Sequence, residues 1–374
     1  MKKKVLILYA EYGSGHKSIA KYVANYLIEN NKKFEVMILN LSDFSNIAGK
    51  IGLNVMKFVS KYRPEKIFDF CYNLSDHRLV AKGTKPFAIR SFDNKQLRRI
   101  ISDFNPDVCI SSLLYCSNII SYYNKIGLIK SKLITIITDY YSHEAWTINH
   151  KEEDAFIVSN EIVKNEIVKR GVPRKKVYAF GLPLINDNRR GNKLLIRKKY
   201  GINNSKKVIL FFGGSTTGSM YYFHYLKILA KISPDVNVIF ISGHNEKLQR
   251  KAQDLVVKEN LNNWVILGYS TDVFNLYRIS DLVISKPGGA TITECLEFRV
   301  PMLLIPGVGG QEKYNAKFIE KNKYGLYAKN KRRFKKQLNL ILNNLKILNN
   351  INDKLSKQSE NNSLALINNL VKKI

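Results

Sequence analysis

The sequence is short of acidic residues, of cysteines and of long apolar runs. Asp and Glu number 30 against 61 Lys and Arg, which leaves a formal net charge of +31. Such an excess favours an anionic partner: nucleic acid, an acidic membrane surface or a phosphorylated substrate. Four cysteines without CxxC spacing indicate reduced thiols rather than a disulfide framework or a zinc site. No run of about 18 apolar residues occurs, so we expect no transmembrane helix, while surface attachment stays open.

The 374 residues suffice for two domains of ordinary size. Short apolar runs rich in β-branched residues alternate with segments of helical period, a pattern typical of βαβ units on a parallel sheet. Such runs occupy residues 5–9, 34–39, 108–111, 133–138, 155–158, 177–180, 208–212, 236–241, 264–267, 282–285 and 302–305. The sequence therefore predicts two α/β domains, residues 1–185 and 186–330. A helical tail, residues 331–374, is expected to pack back on them.

A basic segment interrupts this alternation between residues 51 and 99. It holds 11 Lys and Arg against 4 Asp and Glu, a local excess of +7, and Ile51, Val55 and Phe58 recur at helical spacing. The pattern predicts amphipathic helices whose apolar face enters an anionic membrane while the cations meet lipid headgroups. The alternative is that the apolar residues pack on the first domain. The cations beside them are Lys57, Lys61, Arg63 and Lys66.

The first strand leads directly into Gly13-Ser14-Gly15-His16, a turn of small residues that opens a helix. Such a turn lets a ligand approach the helix N-terminus. The loop is neither a Walker P-loop nor a GxGxxG fingerprint, which would need a third glycine where Ser18 stands. His16 is a candidate general base, because a neutral imidazole accepts a proton near pH 7. The alternative for His16 is a helix-capping role.

The second half carries two further glycine turns after strands. Gly213-Gly214-Ser215 offers amides and a hydroxyl to a phosphate, although a plain flexible loop explains such a run nearly as well. The stronger signal is Ser285-Lys286-Pro287-Gly288-Gly289-Ala290-Thr291, since glycines before a helix present amides and a positive dipole end to a diphosphate. Glu294, one turn into that helix, is placed to accept two ribose hydroxyls.

Polar residues after the next strand, Gln311 and Glu312, are candidates for reading sugar hydroxyls. The sequence has no Asp-x-Asp pair, the usual metal site of the other large class of sugar-nucleotide enzymes. That composition agrees with a leaving diphosphate stabilised by amides and a helix dipole. We expect no metal and no other cofactor.

The stretch from Gly268-Tyr269 to Asn315-Ala316 resembles the donor-site signature of GT-B glycosyltransferases. It is most similar to the monogalactosyldiacylglycerol synthase and processive diacylglycerol glucosyltransferase group, relatives of the lipid II N-acetylglucosaminyltransferase. The similarity extends to the Gly13–His16 turn and to Thr138-Asp139-Tyr140, and it spans most of residues 5–328. Ser14 departs from the group, which usually carries a third glycine there, and this leaves the acceptor open.

The resemblance implies a fold class and an activity. The fold is α/β, with two Rossmann-like domains facing a central cleft, the GT-B fold. The activity is inverting, metal-independent transfer of glucose or galactose from UDP-glucose or UDP-galactose, which is a substrate and not a cofactor. The acceptor is diacylglycerol or a glycosyldiacylglycerol, reached by a peripheral enzyme on an anionic surface at the cytoplasmic face of the cell membrane.

The resemblance also assigns roles to residues. The backbone around Tyr269 and Ser270 would meet the uracil, Glu294 the ribose, and Gln311 and Glu312 the transferred sugar. The diphosphate would meet Ser215, Gly289, Ala290 and Thr291, and Gly214 and Gly288 belong to the same donor site. On the acceptor side His16 and Asp139 are the catalytic candidates, lined by Gly15, His143 and Trp146. The alternatives are a helix N-cap for Asp139 and a hydrogen-bonded loop histidine for His143.

Three other functions compete with this hypothesis. Sugar transfer to a polyprenyl-linked or cell-wall precursor uses the same donor chemistry. A nucleic-acid-binding protein fits the basic charge, but no RRM, KH, zinc-finger or helix-turn-helix signature is present, so no nucleic-acid partner is expected. A sugar-nucleotide epimerase would require paired acid and base residues around the sugar, which the sequence does not reveal.

Overall fold

The computed structural model describes residues 2–11, 14–62, 65–185, 191–214, 219–232, 236–358 and 360–374. The chain forms two compact units. The first unit comprises Met1–Phe58, Lys66–Ile185 and Asn361–Ile374, and the second comprises Val59–Glu65 and Asn186–Glu360. The chain leaves the first unit after Ile185 and its last segment returns there.

A six-stranded parallel sheet is the centre of the first unit. Its strands are β1 (Lys3–Tyr9), β2 (Phe34–Asn40), β3 (Val108–Ser111), β4 (Lys132–Ile136), β5 (Ala155–Ile157) and β6 (Val177–Tyr178). They lie side by side in the order β2-β1-β3-β4-β5-β6. Helices cover both faces of such a sheet, so its strands read as continuous apolar runs, and Leu6, Ile7 and Leu8 of β1 are fully buried.

In the described part of the chain, eight α-helices lie between β1 and β6, and α2 to α5 occupy the basic segment in which the sequence predicts helices. The helices are α1 (Ser14–Asn30), α2 (Ile47–Tyr62), α3 (Glu65–Ser75), α4 (Arg78–Ala81), α5 (Thr84–Phe92), α6 (Lys95–Phe104), α7 (Leu114–Lys125) and α8 (Glu161–Lys169). Asparagine caps begin α6 and α8, where Asn94 and Asn160 accept backbone N–H groups of the first turn.

Several large apolar residues of the basic segment are exposed, whereas Phe92 and Leu97 at its end are buried. Ile51, Val55 and Phe58 of α2 are each more than half exposed, as are Phe70 of α3 and Leu79 of α4. This exposure disfavours the alternative in which Ile51, Val55, Phe58 and Val59 pack on the first domain, although the side chain of Val59 lies outside the described residues. The side chains of Lys57, Lys61, Arg63 and Lys66 lie outside the described residues. Among the helices as described, none has the length and apolar content needed to cross a bilayer.

The second unit is built on its own six-stranded parallel sheet. Its strands are β7 (Val208–Phe212), β8 (Asn237–Ile241), β9 (Trp264–Leu267), β10 (Leu282–Ser285), β11 (Met302–Leu304) and β12 (Gly325–Tyr327). The order β12-β11-β10-β7-β8-β9 is that of a Rossmann sheet. The sequence did not predict β12, a three-residue strand that begins with a glycine. A β-carbon at Gly325 would clash with the Met302 carbonyl oxygen, so the close pairing with β11 requires glycine.

Helices of the second unit cover this sheet. They are α9 (Lys193–Lys199), α10 (Ser219–Ile232), α11 (Glu246–Lys258), α12 (Val273–Ile279), α13 (Gly289–Glu297), α14 (Gln311–Lys321), α15 (Lys331–Asn343) and α16 (Leu345–Ser356). Phe334 of α15 is fully buried and meets the ring of Tyr225 edge-on at 5.0 Å. The first part of the predicted tail thus belongs to the core of the second unit.

The final helix, α17 (Ser363–Lys373), belongs to the first unit instead. Lys3 Nζ donates to the Val371 carbonyl oxygen at 2.8 Å, and the Ser363 hydroxyl donates to the Leu182 carbonyl oxygen at 3.2 Å. Ile367 and Val371 are buried there. The two parts of the tail therefore complete different cores.

Candidate active site

His16 lies in the first turn of α1, where the chain leaves β1. Its Nδ1 is 2.7 Å from the carbonyl oxygen of Ser112, the residue after β3. A carbonyl oxygen only accepts, so Nδ1 carries the proton and Nε2 keeps its lone pair. Burial lowers the pKa of His16, so the ring is neutral at pH 7. This tautomer is the one that a general base requires.

The predicted partners of His16 follow neighbouring strands of the same sheet. Thr138, after β4, places its hydroxyl oxygen 3.4 Å from His16 Nδ1, and Asp139 comes next in the chain. Gly15 is in the first turn of α1, whereas Gly13 and the side chain of Ser14 lie outside the described residues. Carboxyl ends of parallel strands meet at one edge of the sheet, which is where ligands bind in such folds.

His143, predicted on the acceptor side, has protein partners of its own. His143 Nδ1 accepts the Ala145 N–H at 3.1 Å, while Nε2 lies 3.2 Å from the Tyr72 carbonyl oxygen. His143 therefore fits the alternative interpretation, a hydrogen-bonded loop histidine. It also caps the short 3-10 helix Glu144–Thr147, so the N-cap role considered for Asp139 is wrong.

Trp146 requires a correction, because its indole is a core group rather than an acceptor-side surface. It is buried in a cluster with Ile137, Phe156 and Val158. A side chain so enclosed has little surface left for a ligand. The periodicity of the sequence does not reveal this burial, since Trp146 lies in a 3-10 turn without a repeating pattern.

The start of α13 forms the predicted diphosphate site in the second unit. Gly288 is the N-cap, and Gly289, Ala290 and Thr291 make the first turn. A side chain placed on Gly288 would meet no atom within 4 Å, so space is open in front of the helix. The first N–H groups of a helix lack intrahelical partners and attract anions. Gly214 takes a left-handed conformation with φ of 84°, and Ser215 lies outside the described residues.

Glu294 is held by a tyrosine that the sequence analysis did not single out. The Tyr277 hydroxyl donates to Glu294 Oε2 at 2.7 Å. Tyr277 is fully buried, and its ring stacks on Phe298 with centroids 5.5 Å apart. Burial raises the pKa of Glu294 to about 7, although the Tyr277 hydrogen bond opposes that rise. The carboxyl group therefore changes its protonation within the physiological pH range.

Glu312 is largely engaged in joining two loops. Its Oε1 lies 2.5 Å from Lys286 Nζ, and its Oε2 accepts the Val308 N–H at 2.8 Å. Asn315 strengthens the same junction by donating to the Pro287 carbonyl oxygen at 3.1 Å. The loops before α13 and α14 are therefore fixed to each other. Gln311 is the first residue of α14 and is not fully buried.

Tyr269 presents an aromatic face at the end of β9. Its ring stacks on His244 with centroids 4.3 Å apart and planes 13° from parallel, and it is 65% exposed. The Ser270 hydroxyl accepts the Asp272 N–H at 3.2 Å, which shapes the turn before α12. A stacked pair with one open face suits a flat heteroaromatic ring. In the described part of the chain, no three His, Cys, Asp or Glu side chains gather to hold a metal ion.

Comparison with known proteins identifies the family of this chain. Residues 16–184 match the model of monogalactosyldiacylglycerol (MGDG) synthase, and residues 208–372 match that of the glycosyltransferase family 28 C-terminal domain. The chain belongs to the MGDG synthase and glycosyltransferase 28 family. It is a hexosyltransferase of glycolipid biosynthesis.

Curated relatives of this hexosyltransferase cover most of its length. The processive diacylglycerol beta-glucosyltransferase of Bacillus pumilus is 29% identical over 327 residues, which is 85% of this chain and 81% of the relative. The protein of the same name from Bacillus thuringiensis is 28% identical over 328 residues, 85% of this chain and 80% of the relative.

Solved structures show the fold of this family member. MurG of Acinetobacter baumannii has a TM-score of 0.61 at 15% identity and covers 100% of both chains. Anabaena Alr3699/HepE in complex with UDP-glucose has a TM-score of 0.55 at 14% identity, over 99% of this chain and 98% of that chain. These similarities confirm the predicted GT-B fold.

Arg170 adds a feature of this hexosyltransferase that sequence reasoning missed. At the end of α8 its guanidinium donates to Glu144 Oε2 at 2.9 Å, to Asp76 Oδ2 at 3.1 Å and to the Ser142 hydroxyl at 2.9 Å. Asp76 also accepts the Tyr141 hydroxyl. The cluster joins the end of α3 to the loop that contains Asp139 and His143. Its members are up to 94 positions apart, so no local motif signals it.

Proposed function

We propose that the protein is an inverting UDP-hexose:diacylglycerol hexosyltransferase that moves glucose or galactose at a membrane surface. His16 is the general base that removes the proton from the acceptor hydroxyl. The observation that carries the proposal is the Nδ1–H···O=C bond to Ser112, which leaves Nε2 to accept that proton. Inversion needs only one base and an anionic leaving group, because the acceptor oxygen attacks the anomeric carbon directly.

The donor side of the proposal uses the second unit. The first turn of α13 binds the diphosphate, whose growing charge as the sugar leaves is stabilised by amide groups and the helix dipole. Glu294 accepts the ribose hydroxyls, and Tyr269 with His244 covers the uracil. The HepE structure contains UDP-glucose, and a Neisseria meningitidis UDP-GlcNAc 2-epimerase of similar fold was solved with UDP-GlcNAc bound.

In this proposal, α2 to α5 attach the protein to the membrane. Exposed Ile51, Val55 and Phe58 lie in a segment with a local charge of +7, so apolar insertion and attraction to anionic lipids act together. A diacylglycerol acceptor resides in the bilayer, and peripheral attachment brings the enzyme to it.

The test is a transfer assay with radiolabelled UDP-glucose or UDP-galactose and diacylglycerol liposomes, followed by chromatography of the lipids. One labelled glycolipid is expected with one of the two donors. The His16→Ala variant should turn over about 10²- to 10⁴-fold more slowly, with UDP binding by calorimetry unchanged. The matched control is His150→Ala, because His150 Nδ1 lies 2.8 Å from the Thr147 carbonyl oxygen in the same unit. Its turnover should stay near that of the wild type.

Two outcomes would overturn the proposal. Transfer of the label to a polyprenyl-linked acceptor and not to diacylglycerol would show that diacylglycerol is not the acceptor. Normal turnover of the His16→Ala variant would move the base role to Asp139 or another group.

A further inference from the structure

A groove in the first unit has a chemistry that the sugar-transfer proposal does not use. It lies between α5 and the end of α7 and has a volume of about 730 Å³. Ile148 lines it as well, while neither His16 nor Asp139 does. Cavities of this size hold small molecules rather than whole macromolecular surfaces.

Positive charge is concentrated along the groove. Four cations line it, Lys82, Lys85, Arg90 and Lys125, and its lining contains no carboxylate. Elsewhere in this unit cations have close anionic partners, such as Lys132 with Asp154 at 2.9 Å. Within the described residues, the groove cations come no nearer to a carboxylate than the 4.0 Å between Lys85 Nζ and Glu152 Oε1. The positive charge of the groove is therefore only partly compensated, by Glu152 beside Lys85.

The burial of Lys85 makes its positive charge energetically unfavourable. Its side chain is only 17% exposed, and Nζ donates to the buried Ser121 hydroxyl at 2.8 Å, which fixes the ammonium in the wall. Burial is the main cause that lowers the pKa of Lys85; Glu152 and Glu153 oppose this, whereas Lys125 lowers the pKa further. An anion beside Lys85 and Lys125 would remove both the repulsion and part of the desolvation cost.

Apart from Tyr122, the remaining lining is apolar. Pro86 and Ile89 come from α5, Ile126 follows α7, and Ile148 faces the same space. Near the groove in sequence, Leu79 and Phe87 also have exposed apolar side chains. An inorganic anion would leave this apolar surface in water, whereas a hydrocarbon chain would cover it.

We propose that this groove binds a single-chain amphiphile with a phosphate headgroup, the phosphate meeting Lys82, Lys85, Arg90 and Lys125 and the chain covering Ile89, Ile126 and Ile148. The charge of four cations favours phosphate over a neutral sugar or choline headgroup. The limited volume favours one chain. This site is independent of sugar transfer and does not require the proposed function to be correct.

The test is calorimetric titration of the full chain with monododecyl phosphate below its critical micelle concentration. Saturable 1:1 binding is expected. Dodecyl maltoside, with the same chain and no charge, and inorganic phosphate, with the charge and no chain, should each bind at least about tenfold more weakly. Equal binding of dodecyl maltoside would overturn the role of the cations, and equal binding of inorganic phosphate would overturn the role of the chain.

Variants locate the site. Lys82→Gln combined with Lys125→Gln changes two exposed side chains and should weaken dodecyl phosphate binding at least about tenfold. The control, Lys335→Gln with Lys336→Gln on α15, changes the net charge equally and should bind within about twofold of wild type. Ile126→Gln should weaken the amphiphile and leave inorganic phosphate unchanged. Equal losses in the groove variant and the control would show a nonspecific charge effect and reject the site.

Discussion

The hydroxyl group of Tyr277 sets both the position and the protonation of Glu294. It donates at 2.7 Å from a fully buried ring, so the carboxylate has a fixed orientation. It also counteracts the burial that raises the pKa of Glu294 to about 7. A small change in this one contact should therefore alter how the donor site depends on pH.

The Tyr277→Phe variant removes that hydroxyl alone. Because the lost hydrogen bond had lowered the pKa, Glu294 should become a weaker acid. UDP affinity of the wild type should rise between about pH 6 and pH 8 as Glu294 ionises, and in the variant the rise should move to higher pH. At pH 7 we expect UDP to bind about tenfold more weakly, by calorimetry.

The control for this prediction is Tyr221→Phe, which removes a hydroxyl 2.9 Å from that of Tyr225 in the same unit. Its pH profile of UDP binding should coincide with that of the wild type. Coincident profiles for the Tyr277→Phe variant and the wild type would separate Tyr277 from the donor site.

Glu153 provides a second pH-dependent residue, this time in the core of the first unit. Burial raises its pKa to about 8, against lowering by the Thr135 and Ser117 hydroxyls and by Lys176, and Glu152 adds to the rise. The native state thus binds a proton that the unfolded state, with an ordinary pKa near 4.5, releases. Stability from this group is greatest at low pH and falls as pH rises from about 5 to about 8.

The Glu153→Gln variant should abolish that dependence. We expect the difference in free energy of unfolding between the wild type and the variant to fall by up to about 1.4 kcal/mol per pH unit as pH rises through this window. Urea unfolding in a Trp264→Phe background is the measurement, since Trp146 is then the only tryptophan and reports the first unit. A constant difference from pH 5 to pH 8 would show that Glu153 has an ordinary pKa.

At the scale of elements, Arg170 links α8, the end of α3 and the loop after β4. Its partners Asp76 and Glu144 are each less than one-fifth exposed, so removing the cation leaves two poorly solvated carboxylates. We expect Arg170→Met to lower the free energy of unfolding of the first unit by about 3 kcal/mol, measured with the Trp146 reporter. Breaking this junction should also slow transfer to diacylglycerol more than it weakens UDP binding.

Arg174→Met is the matched control, because Arg174 pairs with Glu161 at 3.8 Å with both side chains 61% exposed. Exposed pairs contribute little, and this variant should lose less than about 1 kcal/mol. Equal losses in the two variants would mean that the cluster around Arg170 stabilises no more than a surface pair.

At the scale of the whole molecule, the charge of +31 acts together with the exposed apolar residues of α2. Binding to anionic liposomes, measured by flotation, should fall as salt is raised above 0.1 M, where the screening length is about 10 Å. Ile51→Ser with Val55→Ser should reduce binding further. Leu194→Ser with Leu195→Ser, an equally exposed apolar pair on α9, should not. Liposome binding that is insensitive to both salt and Ile51→Ser with Val55→Ser would contradict the proposed surface.

Much of the fold and part of the site could be predicted from the sequence, because they depend on local patterns. Apolar runs alternating with helical periods specify parallel sheets with helices, since each strand must bury both faces. Glycine turns before α1 and α13, together with His16 and Glu294, follow from where a strand ends and a helix begins. The short β12 was missed because three residues carry too little pattern.

Only the tertiary structure decided which side chains stand beside these residues. The bond from Tyr277 to Glu294 joins residues 17 positions apart, and the Arg170 cluster joins residues up to 94 positions apart. The groove between α5 and α7 likewise lies between separate segments of the chain. The tail was likewise divided between two cores, α15 with α16 and α17. Contacts of this kind depend on how completed elements pack, and hydrophobic periodicity fixes the buried face of an element but not its neighbour.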